Sequence, residues 1–275
     1  MEYIDGVELI YPNFQITSDI HLLKTLWQIA SGISDIHDVE MIHRDIKPNN
    51  MKLDEEGIIK IFDFGLSRNS NLNAMTMGFV GTRGFSAPEL YTHEEVSFTS
   101  AIDVYSFGIT VLYLATKSIT PPLLQMPPDE ASKGCFDCDY LNKYPTLKLL
   151  FEKCLNTDPK KRPSMKEVKD KISEYLTVDK HQAILVSDGK TPYTLNASKR
   201  SVKISYGMVG SFEIFYDGLR FVLRGVIGEV YINNIKAENN DEIGGSCVIG
   251  LGSSNRPFKE RSFMTFDVSS PEVTL

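Results

Sequence analysis

Four side chains in two short stretches have the types and spacing that phosphoryl transfer requires. Residues 43–50 read HRDIKPNN, which puts Asp45, Lys47 and Asn50 on one short loop, and residues 63–65 read DFG, with Asp63 18 positions after Asp45. One carboxylate must orient and accept the proton of an attacking hydroxyl. A second carboxylate, with an amide oxygen, must hold magnesium on the phosphates. A nearby ammonium can neutralise charge on the group being transferred. Asp45, Lys47 and Asn50 supply base, cation and amide, and Asp63 supplies the second carboxylate. HRD or DFG alone is a chance-level match. Both, in order, with the lysine and asparagine in register, form a specific signal.

Such residues need strands and helices to place them. IIKIF at 58–62 reads as the second strand of a pair turning at Asp54–Gly57, and it leads directly into Asp63. A helix is predicted over Ser18–Val39, with a stripe of Ile20, Leu23, Trp27, Ala30, Ile33 and Ile36 behind the cap Thr17-Ser18 and the first-turn Asp19. Ser100–Lys117 is apolar almost all round, which predicts a buried helix, with Ser100 and Asp103 spaced as a capping box. Two amphipathic helices, Tyr144–Leu155 and Met165–Leu176, flank the polar turn Asn156–Ser164 with Pro159 and Pro163. After Asp179 the rhythm shortens. AILVS, YTLN, SVKIS, SFEIFY, RFVLR, EVYIN, CVIGL and SFMTFDV alternate with Asp-Gly, Asn or Gly-Gly turns, which predicts an antiparallel sandwich or barrel beyond a linker within Thr177–Lys190.

Composition bounds the rest. The chain has 275 residues, enough for two domains, with 42% hydrophobic and 24% charged residues, ordinary globular values. A formal charge of −7 argues against a protein that grips nucleic-acid phosphates. The longest lipophilic run, Phe107–Ala115, falls far short of the roughly 20 residues of a spanning helix, so no membrane role is expected. MEYIDGVELI carries acids where a signal peptide would carry bases, and four cysteines are too few for a disulfide scaffold. A soluble, cytoplasmic protein with reduced thiols is expected. Cys135 and Cys138 in CFDC have the half-site spacing for zinc, but no second pair follows, and His21, His37 and His93 read as surface or packing residues.

The HRDIKPNN and DFG stretches resemble the eukaryotic-type protein kinase family. Ala87-Pro88-Glu89 matches the end of its activation segment, Asp103 and Gly108 match its Asp-x-x-x-x-Gly spacing, and Arg162 matches the arginine that pairs with that glutamate. MEYIDGVEL resembles the hinge between the two kinase lobes, and the likeness covers roughly 1–176. It implies an enzyme that uses ATP and Mg2+, with Asp45 as catalytic base, Lys47 on the γ-phosphate, and Asn50 and Asp63 on magnesium. The backbones of Glu2 and Ile4 would bond adenine, with Glu8 near the ribose. Thr82 in GTRGFSAPE, together with Lys47, implies serine/threonine rather than tyrosine protein substrates. Arg44 beside Asp45 implies control by phosphorylation of the activation segment, with Thr76 and Ser70 as candidate acceptors.

Two departures qualify that likeness. Lys52 stands where the family has an apolar residue under adenine; its stem could cover the base while its ammonium reaches solvent. Met1 already stands at the hinge, and no G-x-G-x-x-G follows. The expectation is a multi-domain α + β chain: a mainly α-helical kinase C-lobe over 1–179, without its N-lobe, then an all-β sandwich over 180–275. The isolated chain is expected to be inactive, its N-lobe either lost to truncation or a fragmentary gene sequence, or supplied by a separately encoded partner or regulatory protein. The alternative is a non-catalytic kinase-like scaffold joined to a β-sandwich interaction module, one that could bind phosphopeptides.

The second region is similar to the latter half of forkhead-associated domains, which bind phosphothreonine. A strand, the Asp217-Gly218 turn, a second strand and then Asn233 before a polar loop follow that pattern. Asn234 replaces the family's glycine, and no Gly-Arg or Ser-x-x-His occurs near Ser205 or Ser211. Phosphate would then lack its bidentate partner, and a generic β-sandwich docking module is the competing reading.

Overall fold

A computed structural model describes residues 4–66, 68–69, 82–91, 99–187 and 191–274. The chain divides into two compact units, Met1–Leu176 and Thr177–Thr274. Among the described residues no helix is long and apolar enough to cross a membrane.

In the first unit, β1 (Val7–Glu8), α1 (Asp19–Asp38), β2 (Met41–Ile42), β3 (Met51–Leu53), β4 (Ile59–Ile61) and β5 (Arg68–Asn69) precede α2 (Ala101–Thr116), α3 (Pro145–Cys154) and α4 (Met165–Thr177). Strands β1, β3 and β4 form one antiparallel sheet and β2 pairs with β5. Ser18 caps α1 by accepting from the His21 amide at 3.0 Å. The buried face of α1 is rotated from the predicted stripe. Leu22, Leu26 and Ile29 join Leu23, Ala30 and Ile33 inside, while Ile20 is 45% exposed and Trp27 is half-buried. With apolar residues at both i+3 and i+4 positions, packing against β4 selects the face, and periodicity alone does not. Gln28 fixes that packing by donating to the Gly57 carbonyl at 3.1 Å and accepting from the Ile59 amide at 2.8 Å.

Helix α2 is buried on all sides. The capping box expected at its start does not form. Ser100 is itself helical and makes no side-chain cap, because Asp103 turns inward to the loop that follows β2. Gly108 has a packing reason. A Cβ there would stand 2.7 Å from Leu155 Cδ2 and 3.0 Å from Cys154 Cβ, so α2 and the end of α3 meet only over a glycine.

The turn before α4 presents Arg162, whose side chain is wholly buried. Its two terminal nitrogens meet Glu89 at 2.6 and 2.8 Å, 73 positions away, and it also donates to the carbonyls of Asn156, Thr157 and Ala101. Its guanidinium carbon lies 4.9 Å from the Tyr105 ring centroid.

In the second unit, β6 (Gln182–Ser187), β7 (Tyr193–Leu195), β8 (Ser201–Tyr206), β9 (Gly210–Tyr216), β10 (Phe221–Gly228), β11 (Val230–Ile232), β12 (Ile235–Lys236), β13 (Cys247–Leu251) and β14 (Ser262–Ser269) build two antiparallel sheets. Their orders are β12-β11-β13-β14-β6-β7 and β10-β9-β8. The sequence rhythm finds all but β12, which is two residues long and too short to alternate. Inward residues of both sheets, among them Leu185, Ile214, Phe221, Ile249 and Phe266, share one core. Tyr216 stacks on Phe221 at 4.7 Å, and the Asp217 carboxylate accepts from the Leu219 and Arg220 amides to close the β9–β10 turn.

Removing one partner of a buried ion pair leaves the other charge stranded. Arg162→Ala is expected to destabilise the first unit by about 3–5 kcal/mol, read as a lower urea midpoint at unchanged slope.

Candidate active site

Strand β2 delivers the chain into a loop that Asp103 holds from beneath. Asp103 is fully buried and accepts from the His43 and Arg44 amides, both at 2.8 Å, with His37 Nε2 at 3.0 Å from the same carboxylate. Two consecutive amides on one carboxylate fix the local path, and Arg44 takes φ 74° in the left-handed region. Arg44 is 3% exposed. Of the two roles expected for His37, surface or packing, the structure shows packing, as part of the support for the loop. Its partner Asp103 lies 66 positions away, so no local spacing marks its role.

The next residue, Asp45, gathers the site. Lys47 Nζ donates to Asp45 Oδ2 at 2.6 Å and to Thr82 Oγ1 at 2.5 Å. Thr82 Oγ1 donates to Asp45 Oδ1 at 2.7 Å. Asn50 Nδ2 donates to Asp45 Oδ2 at 2.9 Å and to the Asp45 carbonyl at 2.8 Å. Burial pushes the Asp45 carboxyl up, but hydrogen bonds from Lys47, Thr82 and Asn50 more than offset it and hold it below the usual carboxylate value. Asp45 is thus ionised at neutral pH. Because both Asn50 amide protons go to Asp45, its Oδ1 remains as an acceptor.

Asp63 stands at the end of β4 with φ 66° and is exposed. The Phe62 amide donates to the Asn50 carbonyl at 3.0 Å, and His43 Nε2 lies 3.1 Å from the Phe62 carbonyl, so the backbone before Asp63 is tied to the loop. Its carboxylate makes no hydrogen bond to Asp45, Lys47 or Asn50. A carboxylate and an amide oxygen are hard ligands of the kind magnesium takes, with waters and substrate phosphates in its other positions. Among the described residues no three of His, Cys, Asp and Glu come together as ligands, CFDC included. Burial raises the Cys135 thiol to about 11.

Glu8 pairs across the sheet with Lys52. The Lys52 ammonium does not run out to solvent. It donates to the Ile4 carbonyl at 3.0 Å and lies 5.8 Å from the Phe62 ring centroid. Glu2, Ser70 and Thr76 lie outside the described residues. One further positioning residue escaped the sequence reading. Ser106 Oγ donates to the Phe85 carbonyl at 2.8 Å, fixing the segment that follows Thr82.

The depressed Asp45 carboxyl sets a pH dependence. A carboxyl lowered on folding contributes stability above its unfolded value near pH 4, and loses it as pH falls through the folded value. Urea titrations at descending pH are expected to show a steeper acid loss for the native sequence than for Asp45→Asn. Parallel slopes would show that the bonds to Asp45 do not favour its ionised form.

The protein kinase domain family matches residues 1–172. A Dictyostelium discoideum protein named "probable serine/threonine-protein kinase" is 36% identical over 166 residues, 57% of this chain and 11% of the relative. Serine/threonine-protein kinase STY17 of Arabidopsis thaliana is 29% identical over 56% of this chain and 27% of its own length. Mitogen-activated protein kinase pmk-1 of Caenorhabditis elegans is 31% identical over 59% of this chain and 50% of its own. The chain spans about a tenth of the Dictyostelium relative and half or less of the other two. With the family matched over most of its length, the chain belongs to the protein kinase domain family.

Proposed function

We propose that residues 1–179 are the hinge and C-lobe of a protein serine/threonine kinase that transfers the γ-phosphate of ATP to protein hydroxyls. The observation that carries this reading is the closed cluster of Asp45, Lys47, Thr82 and Asn50. Asp45, held ionised, orients the substrate hydroxyl and takes its proton. Thr82 keeps Asp45 and Lys47 in register, and its place late in the activation segment, before Ala87-Pro88-Glu89, favours Ser/Thr substrates. Lys47 faces the incoming phosphate. Asn50 Oδ1 and Asp63 would hold magnesium, which supplies the charge that offsets the phosphates. Glu2, Ile4 and Glu8 would line the base and ribose, Arg44 would answer a phosphate at Thr76 or Ser70, and Glu89, Asp103 and Arg162 are structural. A cytoplasmic location agrees with reduced cysteines.

No G-x-G-x-x-G run, the family's phosphate-covering loop, occurs in these 275 residues. We infer that this chain alone binds ATP weakly and transfers phosphate negligibly, since half the enclosure would be water and its polar contacts would act at high dielectric. A regulatory or N-lobe-bearing partner would complete it. The scaffold reading has one observation in its favour: Lys52 spends its ammonium on the Ile4 carbonyl, at the edge where the base would sit. Residues 180–275 are proposed as a forkhead-associated-like β-sandwich. Two sheets around one core and Asn233 in the β11–β12 turn support that reading.

A nuclear magnetic resonance titration with millimolar Mg-ATP tests the site. Shifts confined to residues 4–8 and 43–66, lost in Asp63→Asn and accompanied by no turnover, are the expected result. No shift there would favour the scaffold. Micromolar affinity with turnover would show that the chain is complete unaided.

A further inference from the structure

One end of the second unit leaves in water side chains of the kind its core buries. The β8–β9 hairpin, the β10–β11 link and the β13–β14 connection all lie at that end, because Gly210 pairs with Gly228, Val230 with Leu251 and Leu251 with Ser262. Backbone bonds knit the three together. The Glu229 amide donates to the Val209 carbonyl and the Gly252 amide to the Glu229 carbonyl, both at 2.9 Å. A Cβ on Gly228 would stand 2.4 Å from that Val209 oxygen, so the first two loops meet only over a glycine. Each loop carries one large apolar side chain into solvent: Met208 is 104% exposed, Ile227 67% and Phe258 77%. These are three of the four most exposed large apolar side chains among the described residues. The fourth, Ile235 at 74%, lies on β12, beside the turn at the far end of β11. Single exposed apolar residues are ordinary, but three on adjoining loops mark an interaction surface.

The charges on these loops are unevenly matched. Both of their acids turn to Arg256. Glu229 accepts from its Nε and Nη2 at 2.9 and 2.7 Å, and Glu260 lies 3.8 Å from its Nη1. Lys259 is exposed, and among the described residues no carboxylate pairs with it or with Arg261. Arg261 donates Nε to the Gly252 carbonyl at 3.2 Å, and its guanidinium carbon lies 4.7 Å from the Phe263 ring centroid. Phe258 stacks on the same ring at 5.7 Å. An exposed ring and an unpaired guanidinium are thus braced on one aromatic side chain. In residues 177–274, 11 bases balance 11 acids, so the chain's formal charge of −7 belongs to residues 1–176. The second unit as a whole is therefore not repelled by an anionic surface, and these loops carry one base more than acids.

We propose that this end of the second unit docks reversibly on an anionic membrane surface. Met208, Ile227 and Phe258 enter the boundary between headgroups and acyl chains, and Lys259 and Arg261 meet lipid phosphates. A protein partner would have to fit three separate turns at once. A lipid interface takes apolar side chains without shape complementarity and draws bases to its anionic headgroups. Because hydrogen bonds already hold the loops, docking has little chain left to order. Among the described residues no helix is long and apolar enough to span a membrane, and a peripheral contact of this kind requires none. The proposal does not rest on the kinase reading.

The test is co-sedimentation of the purified 275-residue chain with vesicles, at low and at high salt. One set is phosphatidylcholine alone and the other phosphatidylcholine and phosphatidylserine in equal parts. Binding to the mixed vesicles is expected, weaker without phosphatidylserine and at high salt. Phe258→Ser, Met208→Ser and Lys259→Gln, each melting as the parent does, are expected to weaken it by about fivefold. Should Phe258→Ser fail to fold, Met208→Ser decides. Ile235→Ser, which removes an equally exposed side chain outside these loops, is expected to bind as the parent does. In Phe258→Trp the added emission is expected to shift to the blue with mixed vesicles, over the background of Trp27, the one native tryptophan. Equal binding to both kinds of vesicle, undiminished binding by the folded serine variants, an equal loss in Ile235→Ser, or an unshifted Phe258→Trp would overturn the proposal. So would a dimer in sedimentation velocity that Phe258→Ser converts to monomer, since the loops would then belong to a second copy of the chain. No nucleotide is involved, so failure here leaves the Mg-ATP titration to judge residues 43–66 separately.

Discussion

The first unit is organised around one carboxylate with no access to water. Asp103 sits at the first turn of α2, and a charge in that position is tolerated only if donors surround it. It has three, and two are the consecutive amides of His43 and Arg44. That choice of donors gives a buried charge command over a loop. A non-glycine residue held at positive φ costs on the order of 1–3 kcal/mol, and Arg44 sits there because its amide must face Asp103. Asp45 follows Arg44 directly, so the orientation of its carboxylate is inherited from the anchor.

Helix α2 carries that order outward along its length. Its first residue, Ala101, gives its carbonyl to Arg162, which grips Glu89. Three residues beyond Asp103, Ser106 holds the Phe85 carbonyl, and the amides of Phe85 and Ser86 return to the Thr82 carbonyl. Thr82 is thereby set against Asp45 and Lys47. Gly108 then lets α3 close on the far side. Loop, segment and helical base are referenced to one rod, which is apolar all round because it is packed on every face.

Much of this was legible in the residues and some of it was not. HRDIKPNN was readable because its chemistry demands particular types at a particular spacing, and the Glu89–Arg162 pair because those residues match the kinase pattern. The helices were readable because burial imposes a period. Where two uses competed, the sequence was ambiguous. Asp103 fits a capping box and an anchor equally well, and only the neighbouring loop shows which it serves. The face of α1 was misjudged because its apolar residues cover more than one stripe. His37 and Ser106 are ordinary polar residues whose partners lie 66 and 21 positions away. The reach of Lys52 to Ile4, 48 positions away, and the meeting of three loops at one end of the second unit depend on distant neighbours that no local pattern reveals.

On the proposed mechanism one tension remains to be reconciled. A general base works best with a pKa near the working pH, yet the bonds from Lys47, Thr82 and Asn50 hold Asp45 low. Those bonds weaken it as a proton acceptor while fixing where it points. Phosphoryl transfer through a loose transition state asks little of the base early on, because bond formation to the attacking oxygen lags behind cleavage of the leaving bond. What the step needs is a hydroxyl aimed in line, and an error of about 1 Å there can cost around 100-fold. Strength given up in Asp45 is therefore exchanged for position, and Thr82, which touches both Asp45 and Lys47, couples that position to the segment where a protein substrate would lie.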